Sequence, residues 1–202
     1  MNKLIEQINL LRNSSVKNKV ENRLKEFENR KEWFSELCFC LLTANSKAKT
    51  AINIQNELGE EGFLNYDRDK IRDSIITNKH RFPNNKSNFI IEARKFKNIR
   101  EVLNGKDEFE AREFLVKNVK GLGYKEASHF LRNVGYKNLS ILDRHIINLM
   151  VENKIIERPK SLTKKKYFEI EKKFKEICGE VKMSCAELDM YMWYLKTGEV
   201  LK

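Results

Sequence analysis

Apolar residues recur at the spacing of an α-helix along most of the chain, and this periodicity limits the fold more than any other feature. Leu4, Ile8 and Leu11 fall on one helical face, and Val20 and Phe27 fall on another, each opposite charged residues. No stretch shows the alternation of a half-buried strand, and the 202 residues include only two prolines. The sequence therefore predicts an all-α protein.

The charge balance favours a polyanionic partner. The chain has 40 Lys and Arg against 29 Asp and Glu, which gives a formal net charge of +11. Nucleic acid and an acidic membrane surface are the two candidates. We expect no membrane, because no stretch is long and apolar enough to span a bilayer and the first residues have no signal-peptide core. The composition thus predicts an intracellular protein that binds nucleic acid.

Residues 119–125 form a glycine-rich turn of a kind that can bind a phosphate group. Gly121 and Gly123 lack a Cβ atom, so the turn can take unusual backbone angles and a phosphate can approach the main chain. The helix that follows presents its N-terminal amides, with Lys125 in its first turn. Asp143 stands eighteen residues later at the head of another helical segment. This arrangement suits a lysine and an aspartate that share one pocket.

The hairpin, the lysine and the aspartate, in this order and spacing, resemble the helix-hairpin-helix superfamily of DNA glycosylases. The residues that carry the resemblance are Val119, Gly121, Leu122, Gly123, Lys125, Asp143 and His145. The run 120–145 and the end 193–202 look closest to the type 2 8-oxoguanine DNA glycosylase/lyases of archaea and some bacteria. The resemblance implies a bifunctional repair enzyme that flips 8-oxoguanine out of duplex DNA, excises it and cleaves the abasic strand.

The resemblance also implies two helical lobes with the active cleft between them. We expect residues 1–30 and 151–202 to form one lobe and residues 31–150 to form the central lobe, with the helix-hairpin-helix at about 109–135. No Gly- or Pro-rich linker marks a boundary, so the seams near Lys31 and Met150 rest on the resemblance alone.

Lys125 and Asp143 are the predicted catalytic residues. A neutral amine can attack the anomeric carbon of the sugar and form a Schiff base, and a carboxylate can stabilise the cationic sugar. The lysine must then lose its proton through desolvation, cationic neighbours or a helix N-terminus. The alternatives are a solvated lysine and an aspartate that only caps its helix. His145 fits the motif, but a structural hydrogen bond is its more ordinary role.

Four residues are predicted to surround the flipped base. Phe82 and Trp193 are the candidates for the aromatic sandwich, with core packing as the alternative for each. His129 lies one helical turn after Lys125 and either lines the pocket or is satisfied at the helix surface. In the family the extreme C-terminus recognises the base. The resemblance therefore implies that the carboxylate of Lys202 accepts hydrogen bonds from the N–H donors of the guanine.

Five further residues are predicted to contact DNA. Lys120, Gly121, Gly123 and Tyr124 form or flank the hairpin and are candidates for phosphate contacts, although Lys120 is equally well explained as a solvated charge. In related enzymes the loop equivalent to residues 43–45 lies near the orphaned partner base, which makes Asn45 a candidate. Its alternative role is to cap the following helix.

The cysteines indicate that no iron-sulfur cluster is present, although some glycosylases of the superfamily carry one near the C-terminus. Only Cys178 and Cys185 lie there, and two thiolates do not complete a four-thiolate site. Cys38 and Cys40 point to different sides of an apolar helix, so reduced core cysteines are predicted throughout.

We therefore expect no metal site and no required cofactor. Whether the hairpin carbonyls bind a structural monovalent cation is left open by the sequence. The expected partner is double-stranded DNA with 8-oxoguanine or abasic sites, acted on by a monomer in a prokaryotic cytoplasm, at the nucleoid. Two alternatives remain at this point. One is a glycosylase for another damaged or mismatched base, and the other is a non-catalytic helix-hairpin-helix DNA-binding protein, which would have no reason to keep Lys125 and Asp143 in register.

Overall fold

The computed structural model describes residues 2–202, and in that range the chain is helical with no strand, as predicted. A short 3-10 helix, Arg94–Phe96, follows the sixth α-helix. The α-helices are α1 Asn2–Arg12, α2 Val16–Glu28, α3 Trp33–Thr43, α4 Ala48–Asn65, α5 Arg68–Thr77, α6 Pro83–Ala93, α7 Ile99–Val102, α8 Glu108–Asn118, α9 Tyr124–Asn133, α10 Arg144–Glu152, α11 Lys164–Val181 and α12 Cys185–Thr197.

Short polar side chains fix where several helices begin. Asp67 accepts a hydrogen bond from the Lys70 amide at 2.8 Å, and Ser184 caps α12 in the same way. Asp107 begins α8 with a full capping box, in which the Glu110 carboxylate accepts from the Asp107 amide. Each such cap stabilises its helix by roughly 1 kcal/mol. The caps therefore set the helix starts that the apolar periodicity alone leaves uncertain.

Gly59 interrupts α4 without ending it. Its backbone, at φ 60° and ψ −174°, breaks the helical path, but helical structure resumes immediately and continues to Asn65. Leu58 and Phe63 are buried on the two sides of the break. The glycine thus produces a kink because both halves of α4 have apolar residues to bury.

The chain divides into two compact units. One contains the residues up to Asn29 together with Leu131–Lys202, and the other is Arg30–Phe130. Met1 lies outside the described residues. The first seam is close to the predicted Lys31, but the second differs from the predicted Met150. The physical reason is that the segment after residue 131 packs with the terminal helices: α10 contacts α12, and Lys137 pairs with Glu28 at 2.6 Å.

The central unit, Arg30–Phe130, is built around α3. Every residue of α3 from Phe34 to Thr43 is buried, and the helix contacts α4, α6 and α7. Cys38 and Cys40 are free thiols inside this helix, and burial raises the pKa of Cys38 well above its usual value. These two cysteines are core residues, as the sequence predicts.

The terminal unit packs α1 against α2, α11 and α12. Phe27, Phe174 and Tyr167 are among its largest fully buried side chains, and the Tyr167 hydroxyl donates to the Ser140 carbonyl at 2.6 Å. The free cysteines 178 and 185 bring their sulfur atoms within 3.7 Å where α11 and α12 pack.

A buried ion pair lies in the core of the terminal unit. Arg132 Nη1 lies 2.5 Å from Asp189 Oδ2, and the two side chains are 4% and 5% exposed. The Arg132 guanidinium also donates twice to Asn133 Oδ1, at 3.0 and 2.9 Å, and lies over the Phe27 ring. Burial raises the pKa of Asp189 to about 7, while Arg132 opposes that rise. The pair is fully enclosed, so neither charge can turn to water if the other is removed.

We expect Asp189→Asn to destabilise the protein by about 3–5 kcal/mol, because it removes the carboxylate that pairs with the buried guanidinium of Arg132 at 2.5 Å. Urea unfolding measures this change. The matched control is Glu169→Gln, which breaks an exposed pair with Lys166 and should cost less than about 1 kcal/mol. Equal effects of the two substitutions would mean that the buried pair contributes no more than a surface pair.

Candidate active site

The hairpin between α8 and α9 requires a glycine at Gly121 for two reasons. Its φ of +93° lies in the left-handed region, and a Cβ there would come within 2.6 Å of the Phe89 ring. Val119 and Leu122 are buried on either side and anchor the turn, and the Leu122 amide donates to the Val119 carbonyl at 3.2 Å. The hairpin is therefore held in place by its own apolar residues and by Phe89 of α6.

The backbone at Gly123, unlike that at Gly121, does not require a glycine. Its φ is not positive, and an added Cβ would meet only the Glu126 carboxylate, at 3.2 Å. The Gly123 amide points outward at the start of α9 and donates to Glu126 Oε2 at 3.3 Å. A carboxylate thus lies where the helix dipole and the open amide favour an anion. This geometry fits the predicted phosphate contact, which a side chain at Gly123 would obstruct.

The two glycines give a matched pair of variants. Gly121→Ala should lower stability by about 1–3 kcal/mol, because it combines a strained backbone with a clash. Gly123→Ala should fold normally but bind every duplex more weakly, damaged or not. Thermal unfolding and fluorescence anisotropy with 8-oxoguanine and undamaged duplexes separate the two effects. Unchanged affinity in Gly123→Ala would remove this amide from the DNA contacts.

Lys125 lies in the first turn of α9, directly after the hairpin. Its side chain is 23% exposed, and Nζ lies 2.9 Å from Glu126 Oε1. Since Glu126 Oε2 accepts from the Gly123 amide, a single carboxylate connects the lysine to the hairpin. Lys125 is therefore half-buried and held near the helix N-terminus, and is not a fully solvated surface lysine.

A second lysine of the central unit is buried, and it was not among the residues predicted from the sequence. Lys86 on α6 is only 3% exposed, and its Nζ donates to the Leu42 carbonyl and to Ser46 Oγ at 2.6 Å. His80 Nε2 lies 3.0 Å from the same Nζ, and His80 Nδ1 lies 2.5 Å from Thr50 Oγ1. One feature of the sequence could have indicated that Lys86 is buried. It falls on the same helical face as the apolar residues Ile90 and Ala93, which are also buried.

The electrostatics of this cluster favour loss of a proton. Burial is the main cause that lowers the pKa of Lys86 to about 7, followed by the positive charges of Lys125 and Arg81, while Glu126 opposes them. Burial also lowers the pKa of His80. A lysine amine with this pKa is partly neutral at neutral pH.

The loops that carry Phe82 and Asn45 meet in the central unit. Phe82 is 45% exposed with φ +60°, so the core-packing alternative for Phe82 is excluded. Arg81 lies over its ring at 4.6 Å and donates from Nη1 to the Asn45 carbonyl at 3.1 Å. Asn45 also has a positive φ and makes no side-chain cap for α4, whose N-cap is Lys47. Strained, exposed residues of this kind are common at binding sites.

The remaining candidates of the central unit have defined partners. Lys120 is exposed and pairs with Glu92 at 2.9 Å, and the Tyr124 hydroxyl donates to Glu113 at 2.9 Å. A phosphate that bound either residue would displace a carboxylate. His129 is buried against the edge of Phe39, with ring centres 5.6 Å apart, so the alternative of a surface histidine is wrong.

The terminal unit holds the other candidates. Asp143 is the N-cap of α10, where its Oδ1 accepts a hydrogen bond from the Ile146 amide at 2.9 Å. The side chain therefore does cap the helix, and the cap uses one of its two carboxylate oxygens. His145 packs edge-on against the Trp193 indole at 4.9 Å, and both are half-buried. Lys202 lies beyond the end of α12 in a half-buried, non-helical segment. The unit therefore groups His145 with Trp193 near the start of α10.

Residues 2–202 contain neither of two other kinds of site. In that range no group of three or more His, Cys, Asp or Glu side chains is placed to hold a metal ion. No helix in the same range has the length and apolar character needed to cross a membrane.

Known proteins resemble this chain over its whole length. It is 48% identical to the 8-oxoguanine DNA glycosylase/AP lyase of Methanocaldococcus jannaschii, with 98% of this chain and 99% of that protein covered. The Korarchaeum cryptofilum protein of the same name is 44% identical, with 98% of each covered.

Solved structures agree with this likeness. The M. jannaschii enzyme in complex with a 15-mer DNA that contains 8-oxoguanine matches with a TM-score of 0.96 at 47% identity, covering 99% of this chain and 100% of that chain. The 8-oxoguanine DNA glycosylase of Thermotoga maritima matches with a TM-score of 0.93 at 38% identity, covering 100% and 99%. A sequence model described as 8-oxoguanine DNA glycosylase, of the helix-hairpin-helix type, matches residues 20–183. The chain therefore belongs to the 8-oxoguanine DNA glycosylase family.

Proposed function

We propose that Lys125 and Asp143 perform the chemistry of this chain, which is that of an 8-oxoguanine DNA glycosylase and AP lyase. The observation that carries the assignment is the position of Lys125, half-buried in the first turn of α9 directly after the hairpin. The neutral form of a lysine amine is the one that attacks carbon.

In the first step, the neutral amine of Lys125 forms a bond to the anomeric carbon C1′ of the damaged nucleotide. The bond from C1′ to the base nitrogen breaks, and the base leaves with the electron pair and gains a proton. Positive charge develops on the sugar as that bond lengthens, and the carboxylate of Asp143 stabilises it. The N-cap bond to the Ile146 amide fixes the direction of that carboxylate.

In the second step, the sugar ring opens and the C1′–nitrogen linkage becomes a protonated Schiff base. The Schiff base makes the C2′ proton acidic, and a base removes it. The C3′–oxygen bond then breaks and releases the 3′ phosphate, which cleaves the strand. Water finally hydrolyses the imine and regenerates the lysine. No electron is transferred to a redox group, so we propose that no redox or nucleotide cofactor is needed.

The substrate is duplex DNA with a flipped 8-oxoguanine, and we propose that Phe82 contacts that base. An exposed aromatic ring at a positive φ, with Arg81 over it at 4.6 Å and Lys86 at 6.0 Å, suits stacking on a base. We propose Trp193 as the second aromatic contact and Asn45 as a contact to the orphaned base. We further propose that the enzyme acts as a monomer, at the nucleoid in the cytoplasm. A monovalent cation at the hairpin carbonyls remains part of the proposal.

Three duplexes of one sequence test this function: one with a single 8-oxoguanine, one with a preformed abasic site and one undamaged. We expect strand cleavage of the first two and none of the third, with the same rates after treatment with EDTA. Cleavage of the abasic duplex alone would indicate a lyase for another lesion. Binding without any cleavage would support the non-catalytic alternative, and duplexes with oxidised pyrimidines or with adenine opposite 8-oxoguanine test the other glycosylases.

A further inference from the structure

We propose that Lys86 is a positioning residue for base recognition: its buried side chain fastens the loop that carries Asn45 to the loop that carries Phe82. The Asn45 loop, residues 44–47, joins α3 to α4, and the Phe82 loop, residues 78–82, joins α5 to α6. The proposal rests on the proposed contacts of Phe82 with the flipped base and of Asn45 with the orphaned base. It adds a residue that is itself buried, at 3% exposed, and that acts through those two exposed residues.

The backbone of Lys86 is bonded to the Phe82 loop. Phe82 is the N-cap of α6, and its carbonyl accepts from the Lys86 amide at 3.0 Å in the first turn of that helix. Lys86 Nζ also lies 6.0 Å from the centre of the Phe82 ring. Phe82 has φ +60°, a conformation that residues other than glycine keep only where the surrounding structure holds them. Lys86 is part of the structure that holds it.

The side chain of Lys86 contacts the Asn45 loop and the helix before it. Its Nζ donates to the Leu42 carbonyl and to Ser46 Oγ at 2.6 Å, and these two residues lie on either side of Asn45 in the chain. Leu42 is in the last turn of α3, where carbonyl groups commonly lack a partner within the helix and where the helix dipole favours a donor with positive charge. One amine therefore caps the end of α3 and holds the loop that follows it.

His80 joins the Phe82 loop to the same carbonyl. Its Nε2 lies 2.7 Å from the Leu42 carbonyl, which can only accept, so the ring proton is on Nε2. Burial lowers the pKa of His80 and favours the neutral ring, so Nδ1 accepts from the Thr50 hydroxyl at 2.5 Å. The carbonyl oxygen has two lone pairs and accepts from His80 and from Lys86 together. The end of α3 is thus held both from the Phe82 loop and from α6.

Arg81 adds a contact between the two loops at the surface. Its Nη1 donates to the Asn45 carbonyl at 3.1 Å, and its guanidinium lies 4.6 Å from the centre of the Phe82 ring. Arg81, Asn45 and Phe82 are all exposed, so water competes for this contact. The bonds of Lys86 are made inside the central unit, where an unpaired polar group is costly. The buried amine therefore sets the spacing of the two loops more firmly than the exposed guanidinium does.

The contact does not depend on whether Lys86 is charged. Burial is the main cause that lowers the pKa of Lys86 to about 7, so both forms are present at neutral pH. The ammonium has three N–H donors and the neutral amine has two, and the bonds to Leu42 and Ser46 need only two. Methionine, which is similar in length, fills the space but makes neither bond.

The test compares single-turnover rates at saturating enzyme on two duplexes of one sequence, one with an 8-oxoguanine and one with a preformed abasic site. Only the first duplex needs a base to be held by Phe82, whereas Lys125 acts on both. For Lys86→Met we expect excision of 8-oxoguanine to fall about tenfold or more, because a small misplacement of a group that positions the substrate slows the reaction. Cleavage of the abasic duplex should stay near the wild-type rate. The control Lys117→Met removes the same charge from an exposed position in α8 and should match the wild type on both duplexes.

A double variant tests whether Lys86 acts through Phe82. Phe82→Ala should itself slow excision of 8-oxoguanine and spare cleavage of the abasic duplex. If Lys86 works by placing Phe82, the protein with both Lys86→Met and Phe82→Ala should lose far less than the product of the two single losses. A residue that only stabilises the fold would give losses that multiply and that occur on both duplexes.

Wild-type excision by a folded Lys86→Met protein overturns the proposal, and so do equal losses on the two duplexes or losses that multiply in the double variant. If Lys86→Met does not fold, Ser46→Ala replaces it, because it removes one acceptor of Nζ and leaves the buried lysine in place. The same loss on the 8-oxoguanine duplex alone is then expected, and the same results count against the proposal.

The wild type and Phe82→Ala separate this inference from the function on which it rests. If the wild type cleaves neither duplex, the proposed function fails. If Phe82→Ala excises 8-oxoguanine normally, the proposed contact of Phe82 fails, and this inference fails with it. If Phe82→Ala loses excision and the Lys86 variant does not, only this inference fails.

Discussion

Lys125→Gln should abolish both the covalent complex trapped by borohydride and the cleavage of 8-oxoguanine DNA, with a loss of at least about a thousandfold. A single amine supplies both activities, so both should disappear together. Affinity for the duplex should stay close to that of the wild type, because one charge is lost from a chain with 40 Lys and Arg.

The matched control for that substitution is Lys117→Gln, which removes an equal charge from an exposed position at the end of α8. It should trap and cleave like the wild type. Normal trapping by Lys125→Gln would exclude Lys125 as the nucleophile, and loss of trapping in both variants would point to a general effect of charge on DNA binding.

Asp143→Asn should slow excision of 8-oxoguanine by about 10²–10³-fold, because it removes the negative charge that stabilises the developing sugar cation. The fold should be retained, since the amide oxygen of asparagine can still accept from the Ile146 amide, now at 2.9 Å from Oδ1. The measurement is single-turnover excision together with the thermal unfolding midpoint.

Asp67→Asn is the control for Asp143, because it makes the same exchange at another N-cap, where the carboxylate accepts from the Lys70 amide at 2.8 Å. Its excision rate should equal that of the wild type. If Asp143→Asn also excised at that rate, Asp143 would be a helix cap and nothing more.

The features that could be predicted from the sequence are those with local causes. The periodicity of the apolar residues predicts the helices, and two glycines followed by a lysine predict the hairpin, because each pattern is complete within a few residues of chain. The N-cap role of Asp143 is local in the same sense. These predictions agree with the structure because the residues that form the turn and the cap are close together in the chain, although Phe89 of α6 also packs against Gly121.

The features that were missed depend on residues far apart in the chain. The cluster around Lys86 joins it to Leu42 and Ser46, which lie about forty residues earlier in the chain, so no short pattern reveals it. The burial of His129 depends on Phe39, about ninety residues earlier. The seam predicted near Met150 differs from the observed division for a similar reason, since tertiary contacts with Glu28 draw the segment after residue 131 to the terminal helices.

The most direct test of the account is to identify the lysine that forms the covalent intermediate. Wild-type protein is mixed with a duplex that contains 8-oxoguanine, the Schiff base is reduced with borohydride, and the adduct is located by peptide mass spectrometry. The account predicts one modified residue, Lys125. An adduct on Lys86, Lys120 or any other lysine, or excision of the base with no adduct at all, would contradict it.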